Sequence, residues 1–270
     1  MELIFAKMFV SFIMRAITKE HSIMEAKEQL RKVLDMPVRV NEFGQTGRMH
    51  VHCWFNYMQH IASVHAEEIG FGLAALKEKG FIWVLSRVRL HIEESPAIDD
   101  IMRVETYPNG VDRLFAKRQF SMTSLKSGRT LGYASSYWLV VDAATQRLKT
   151  PGDVGVDSNL NADMPDFFPS LDRIAPIDVG QMQDHAIAPT CIDLNRHLNN
   201  AYYCQYGADW LAANAGENAS IREVQINFNH AIKAGETLSI GGIVEGKTFS
   251  IAGQAVEAGK NAFQMEGGLA

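Results

Sequence analysis

No run of apolar residues in this chain reaches the roughly 18 needed to cross a bilayer, so no membrane-spanning helix is expected. Cysteine is scarce. Cys53, Cys191 and Cys204 form no C-x-x-C pair, and their odd number argues against a disulfide framework. A reducing, cytoplasmic setting is therefore expected. Positive charge is also short: 26 Lys and Arg face 31 Asp and Glu, a net charge of -5 that argues against general nucleic-acid binding. There is no glycine-rich phosphate loop or dinucleotide fingerprint, since Gly241-Gly242 and Gly267-Gly268 read as turn or terminus glycines. His50, His52, His60 and His65 are not joined by a carboxylate at a familiar ligand spacing. No metal and no cofactor are expected.

What the chain does have is a dense polar segment, Asp193-Leu194-Asn195-Arg196-His197-Leu198-Asn199-Asn200, ahead of an aromatic-rich amphipathic run. Asp193, Asn195 and His197 alternate with Leu194, Arg196 and Leu198, so an extended backbone would project the three polar groups to one side. Imidazole is the side chain that ordinarily titrates near neutrality, which suits proton transfer. A helix beginning just after this segment offers backbone N–H groups that can stabilise an oxyanion. Asn199 or Asn200 is expected to cap that helix.

The chain repeats itself. Aligning Arg87 with Glu223 brings 88–92 onto 224–228 and 100–104 onto 236–240, with the apolar positions mostly coinciding. Aligning Asn56 with Asn200 makes the helix-to-strand connection eight residues longer in the first copy. Spacing this wide indicates a duplicated domain rather than a solenoid. Each copy reads as a loop, a helix and an antiparallel meander. The first has a helix at 56–69 and strands at 84–93, 101–109, 114–124 and 130–142. The second has a helix at 200–213 and strands at 222–230, 237–245, 248–258 and 261–267. That order suits an α+β fold with the sheet wrapped around the helix.

Four units are expected: an extension at 1–35, a first repeat at 36–151, a linker at 152–189 and a second repeat at 190–270. In the extension, 3–14 is mostly apolar and 20–36 reads as a polar helix. Glu2, Glu20, Glu25 and Glu28 disfavour a transit peptide, and Met24 and Met36 are plausible alternative starts. The linker region is rich in Asp and Pro, and Phe167, Phe168 and Leu171 suggest that it packs against the repeats.

The D-x-N-x-H-x-N-N segment resembles the signature of acyl-ACP thioesterases, double-hotdog enzymes that release fatty acids from acyl carrier protein. The stretches W-V-L-S-R-V-R-L at 83–90, A-S-S-Y-W-L-V-V-D at 134–142 and R-L-K-T-P at 147–151 are similar to the family's first repeat. The resemblance runs from about 38 to about 268. It implies a tandem (double) hotdog and hydrolysis of fatty acyl-ACP with Asp193, Asn195 and His197 catalytic. The acyl tail would lie in the first repeat against Trp54, Phe55, Met58 and Trp83, with Ile61 and Phe71 nearby.

The family's further acidic residue falls at or near Ala231 here, a departure that leaves His197 as the preferred base. His230, Glu67, Glu68 and Glu223 are the alternatives, and Asn227 and Asn229, sharing a strand face with Ala231, could position water. A covalent route through Cys191 or Cys204 is the rival chemistry. In the first copy, Met49, Val51 and Cys53 face Asp193, Asn195 and His197, which implies one active site per chain. The partners implied are acyl carrier protein, docked on cations such as Arg113, Lys117, Arg118, Lys126 and Arg129, and a fatty acyl thioester; a homodimer is compatible. An acyl-CoA thioesterase and a non-catalytic acyl-binding hotdog protein are the alternative functions.

Overall fold

The computed structural model describes residues 30–168, 170–216 and 218–270. The expectations for the extension before residue 30 lie outside the described residues. From Lys32, the segment read as the end of a polar helix is instead a strand, β1 (Lys32–Pro37). Its alternating half-buried and exposed residues have the two-residue period of a strand.

Helix α1 (Val51–Glu68) and the short α2 (Leu73–Glu78) follow, then strands β2 (Phe81–Ile92), β3 (Ile101–Asp112), β4 (Phe115–Ser124), β5 (Thr130–Asp142) and β6 (Leu148–Lys149). The second half holds β7 (Gln183–Ala186), α3 (Asn200–Ala215), β8 (Ile221–Phe228), β9 (Thr237–Glu245), β10 (Thr248–Ala255) and β11 (Lys260–Leu269). The strands form one antiparallel sheet in the order β1-β3-β4-β5-β2-β8-β11-β10-β9-β7, with β6 beside β5. Thus Lys32–Asp35, ahead of the first repeat by sequence, and Gln183–Ala186, in the linker by sequence, are edge-strand residues.

The halves join where β2 pairs with β8. At the centre of that ladder Arg89 faces Gln225, residues that correspond in the strand repeat, so an approximate two-fold axis passes there. The two long helices, α1 and α3, pack on the same side of the sheet. Trp54, Ile61, Cys204 and Leu211 pack against Val88, Val104, Met122, Val224, Ile251 and Phe263 in one continuous core. This is the tandem hotdog that the resemblance implies.

The sheet's outer face would be costly to bury, because it carries Gln119, Ser135, Gln225, Asn227 and Gln264. The linker crosses it as a strap and supplies many of the hydrogen bonds. Tyr107 donates to Pro165 O (2.7 Å), Gln119 to Asp166 Oδ1 (3.0 Å), Gln225 to Asp172 O (2.6 Å) and Gln264 to Ala175 O (2.9 Å). Phe168 and Leu171 pack on Tyr137, and the Arg89 guanidinium stacks 4.8 Å from the Phe168 ring.

The structure corrects the internal alignment. β1, the turn after it and α1 correspond to β7, its turn and α3 without a gap, 149 residues apart. Pro37 and Ala186 hold the same place in their ladders, and Phe43–Met49 and Ile192–Leu198 form the same bridge. Helix α1 therefore starts at Val51, not Asn56, and the residues facing Asp193, Asn195 and His197 are Gly44, Thr46 and Arg48. The first repeat's helix-to-strand connection is thirteen residues longer, not eight, and accommodates α2.

Candidate active site

The polar segment is not extended. Ile192 and Leu198 bridge to each other and close residues 193–197 into a tight turn. Asp193 N–H donates to His197 O (2.8 Å), and Arg196 N–H to Asp193 O (3.0 Å). The Asp193 carboxylate accepts from Asn195 N (2.8 Å) and His197 N (3.3 Å), so it staples the turn from inside, as an Asx turn does. Arg196 takes the left-handed backbone needed to close it, with φ 63°. The expected alternation of three polar groups on one side fails for this reason. Leu194 and Asn195 sit exposed at the tip, whereas Asp193 and His197 are half-buried at the base.

The loop after β8 lies beside this turn. His197 bridges Lys233, and Leu198 N–H donates to Ile232 O (2.7 Å). Tyr203 of α3 holds that loop in place: its hydroxyl accepts from Ile232 N (3.0 Å) and donates to His230 O (3.3 Å). Ala231 is exposed on the same loop. Asn227 belongs elsewhere, because it is buried on the outer face with Gln225. Asn229 bonds Asn261 (2.6 Å). Of the alternative bases, Glu67 accepts from Leu73 N, Glu68 pairs with Lys32, and Glu223 with Arg89 and His91. His230 is the alternative that remains beside the turn.

Asn199 caps α3, its Oδ1 accepting from Ala201 N (2.9 Å). Tyr202 N–H donates to Asn199 O (2.9 Å). The Asn200 N–H is left without an acceptor among the described residues. It stands at the positive end of a 16-residue helix.

Asn200 also lines a cleft. The other walls are Phe55, Met58, Gln59 and Ala62 of α1, Leu85 and Val88 of β2, Phe120 of β4, and Ser136 and Trp138 of β5. Spacings of three, four and seven put the four α1 residues on one helix face. Phe55 and Met58, two of the residues expected to meet an acyl tail, are among them. Trp54 is wholly buried in the core, and Trp83 donates its indole N–H to Phe71 O (2.9 Å); neither lines the cleft. In the second repeat, the residue corresponding to Met58 is Gly207. A Cβ there would come within 2.9 Å of the Met265 sulfur, so Met265 fills that space. Sequence reasoning missed Gln59, Ala62 and Asn200 as lining residues, although the α1 stripe was legible.

Cys204 is fully buried, and burial pushes its thiol pKa up, which disfavours the thiolate. Among the described residues, no cluster of His, Cys, Asp and Glu could hold a metal ion. His50 and His52 stack at 5.4 Å, and His65 bonds Arg118 (3.0 Å). Of the expected docking cations, Lys117 pairs with Asp166, Lys126 with Asp99 and Arg129 with Glu94, and Arg118 is buried. Arg113 stays exposed.

The sequence model of the acyl-ACP thioesterase N-terminal domain matches residues 32–153, and that of the C-terminal domain matches 175–262. Oleoyl-acyl carrier protein thioesterase 2 of Arabidopsis thaliana is 26% identical over 62% of this chain and 50% of its own length. A dodecanoyl-[acyl-carrier-protein] hydrolase of Cinnamomum camphora is 23% identical over 86% of this chain and 63% of its own. The chain thus spans about half the length of the first of these relatives. Among solved structures, an acyl-ACP thioesterase from Bacteroides thetaiotaomicron superposes with a TM-score of 0.80 at 22% identity, over 90% of this chain and 99% of the other. The 12:0-ACP thioesterase from Umbellularia californica gives 0.72 at 19% identity, over 89% and 94%. These superpositions bear out the tandem hotdog, and the two matching domain models establish that the chain belongs to the acyl-ACP thioesterase family.

Proposed function

We propose that this protein hydrolyses fatty acyl-ACP thioesters to free fatty acid and acyl carrier protein, ending chain elongation. One observation carries the reading: the apolar cleft of the first repeat is lined at one point by Asn200, the first residue of the helix that the D-x-N-x-H-x-N-N turn introduces. The cleft is narrow in this structure, with an interior volume of about 20 Å³, so an acyl tail has to widen it; a tail that does so brings its thioester carbonyl to the α3 N-terminus, beside His197. Water attacks the carbonyl carbon and His197 takes its proton. The Asn200 N–H and the helix dipole stabilise the oxyanion. Asp193 holds the turn, and Asn195 at its tip offers an amide to the water or the carbonyl oxygen. No cofactor enters this scheme.

The carrier is acidic, so it docks on cations near the turn. Arg196 and Lys233 flank His197 and are exposed, and Arg113 joins them in this proposal. The three cysteines are free thiols, which supports a reducing, cytoplasmic setting. The units 36–151 and 190–270 act together, the first holding the tail and the second the reacting bond.

The test is turnover on acyl-ACPs from short to long chains, with acyl-CoAs of equal acyl length in parallel. Faster hydrolysis from ACP is expected. Preference for CoA makes the protein an acyl-CoA thioesterase, and no turnover from either carrier makes it an acyl-binding protein.

A further inference from the structure

We propose that the first repeat supplies a catalytic amide, Gln59, which with the Asn200 N–H holds the thioester carbonyl between the two repeats. The proposal rests on the thioesterase reading above and adds to it a residue outside the D-x-N-x-H turn.

Gln59 stands on α1 in the stripe Phe55, Met58, Gln59 and Ala62, and it is the one polar member of that stripe. It is half-buried and lines the same cleft as Asn200. An amide has two N–H donors and two acceptor lone pairs. Among the described residues, one of these capacities is used, in a solvent-exposed bond: Nε2–H donates to Asn56 Oδ1 (2.9 Å). Asn56 is exposed and outside the cleft, three residues back on the helix. It orients the Gln59 amide and leaves the second N–H and the carbonyl oxygen for what enters.

The apolar walls Phe55, Met58, Val88 and Phe120 suit a hydrocarbon tail, and the polar residues beside them, Gln59, Ser136 and Asn200, are uncharged. That combination suits a neutral carbonyl that becomes an oxyanion. One donor then comes from α1 and one from the α3 backbone, each on a rigid helix. As water adds to the carbonyl carbon, its proton passes to His197 and the oxygen becomes negative between the two donors. Collapse re-forms C=O and breaks the C–S bond, and the departing thiolate takes the proton from His197.

The duplication supplies an internal comparison. At the corresponding places 149 residues away, Gln59 becomes Ala208, and Asn200 answers to Val51. The second repeat's copy of the cleft keeps a backbone N–H at Val51, but it lacks the Gln59 side-chain amide and is filled by Met265. One site per chain follows.

The experiment uses the full chain with acyl-ACP and acyl-CoA substrates. Gln59→Leu, which keeps the volume, is expected to lower kcat by about 10²–10³ with KM little changed, as loss of one oxyanion donor does. Gln59→Glu should be at least as impaired, because a carboxylate repels the oxyanion. Asn56→Ala should lower kcat less, and Asn56→Asp should restore it by keeping the acceptor for Nε2–H. A merely structural Asn56 would show no such rescue. Wild-type kcat in folded Gln59→Leu, or in Gln59→Glu if the first variant does not fold, overturns the proposal and leaves the thioesterase reading standing. A change in KM alone also overturns it. Absence of turnover in the wild type removes the reading and this proposal together.

Discussion

Arg196 and Gly47 occupy the same place in the two repeats, and both have left-handed backbones, with φ of 63° and 71°. The turns match in their backbone bonding: Gly44 N–H donates to Arg48 O (2.9 Å) as Asp193 N–H does to His197 O. A non-glycine residue pays roughly 1 kcal/mol or more in this conformation. Arg196→Gly should therefore stabilise the protein by about 1 kcal/mol in urea unfolding. If Arg196 helps to dock the carrier, the same variant should raise KM for acyl-ACP and leave acyl-CoA unchanged. A loss of stability would show that the arginine side chain itself holds the loop.

Asp193 is the staple of that turn. Asp193→Ala frees two backbone N–H groups and should cost about 1 kcal/mol of stability or more. Asp193→Asn keeps an acceptor and should recover most of it. Any kcat deficit left in Asp193→Asn measures what the negative charge adds to the chemistry. Equal destabilisation by both substitutions would contradict the stapling role.

His197→Ala should abolish turnover while thermal unfolding stays close to wild type, because the backbone of His197, not its ring, makes the bridge to Lys233. A folded variant that keeps most of its activity would move the base to His230.

His52 gives stability a pH dependence. Burial first, then the neighbouring His50, lower its imidazole pKa from 6.5 to about 4, against an opposing pull from Glu42. Between those values the unfolded chain binds a proton that the folded chain refuses. Its contribution is thus full above about pH 6.5 and declines as pH falls towards 4. Replacing His52 with Phe should flatten the difference in unfolding free energy between about pH 7 and pH 5. An unchanged difference would assign the acid sensitivity to other groups.

Shortening the chain separates two of its methionines. A chain starting at Met24 retains all of β1. One starting at Met36 loses Lys32–Asp35, and with them the Asp35–Arg103 pair (2.7 and 2.8 Å) and the cover on the β3 edge. The shorter chain should be less stable and more prone to associate through the bared edge. Equal solubility and equal melting temperature would show that β1 is dispensable.

Much of the architecture was legible because strands and helices have different apolar periods. The boundaries of β5 and β9 coincide with those expected from the sequence, and α3 begins at the expected Asn200. The start of α1 was not legible, because its cap is His50, which makes no side-chain capping bond, so the usual polar signal is missing. The resulting five-residue slip put Met49, Val51 and Cys53 opposite the motif, where the structure puts Gly44, Thr46 and Arg48.

By itself, the sequence determined the duplication, the order of elements, the family and the identity of the polar segment, since these depend on residue type and spacing along the chain. The tertiary structure decided what those groups touch. Alternation in 193–198 reads as a strand, yet a carboxylate bonded to two backbone N–H groups and one left-handed arginine fold it into a turn. Nothing local places Gln59 beside Asn200, more than a hundred residues away. Their meeting depends on two helices packing antiparallel across a shared sheet, a relation set by non-local pairing of β2 with β8.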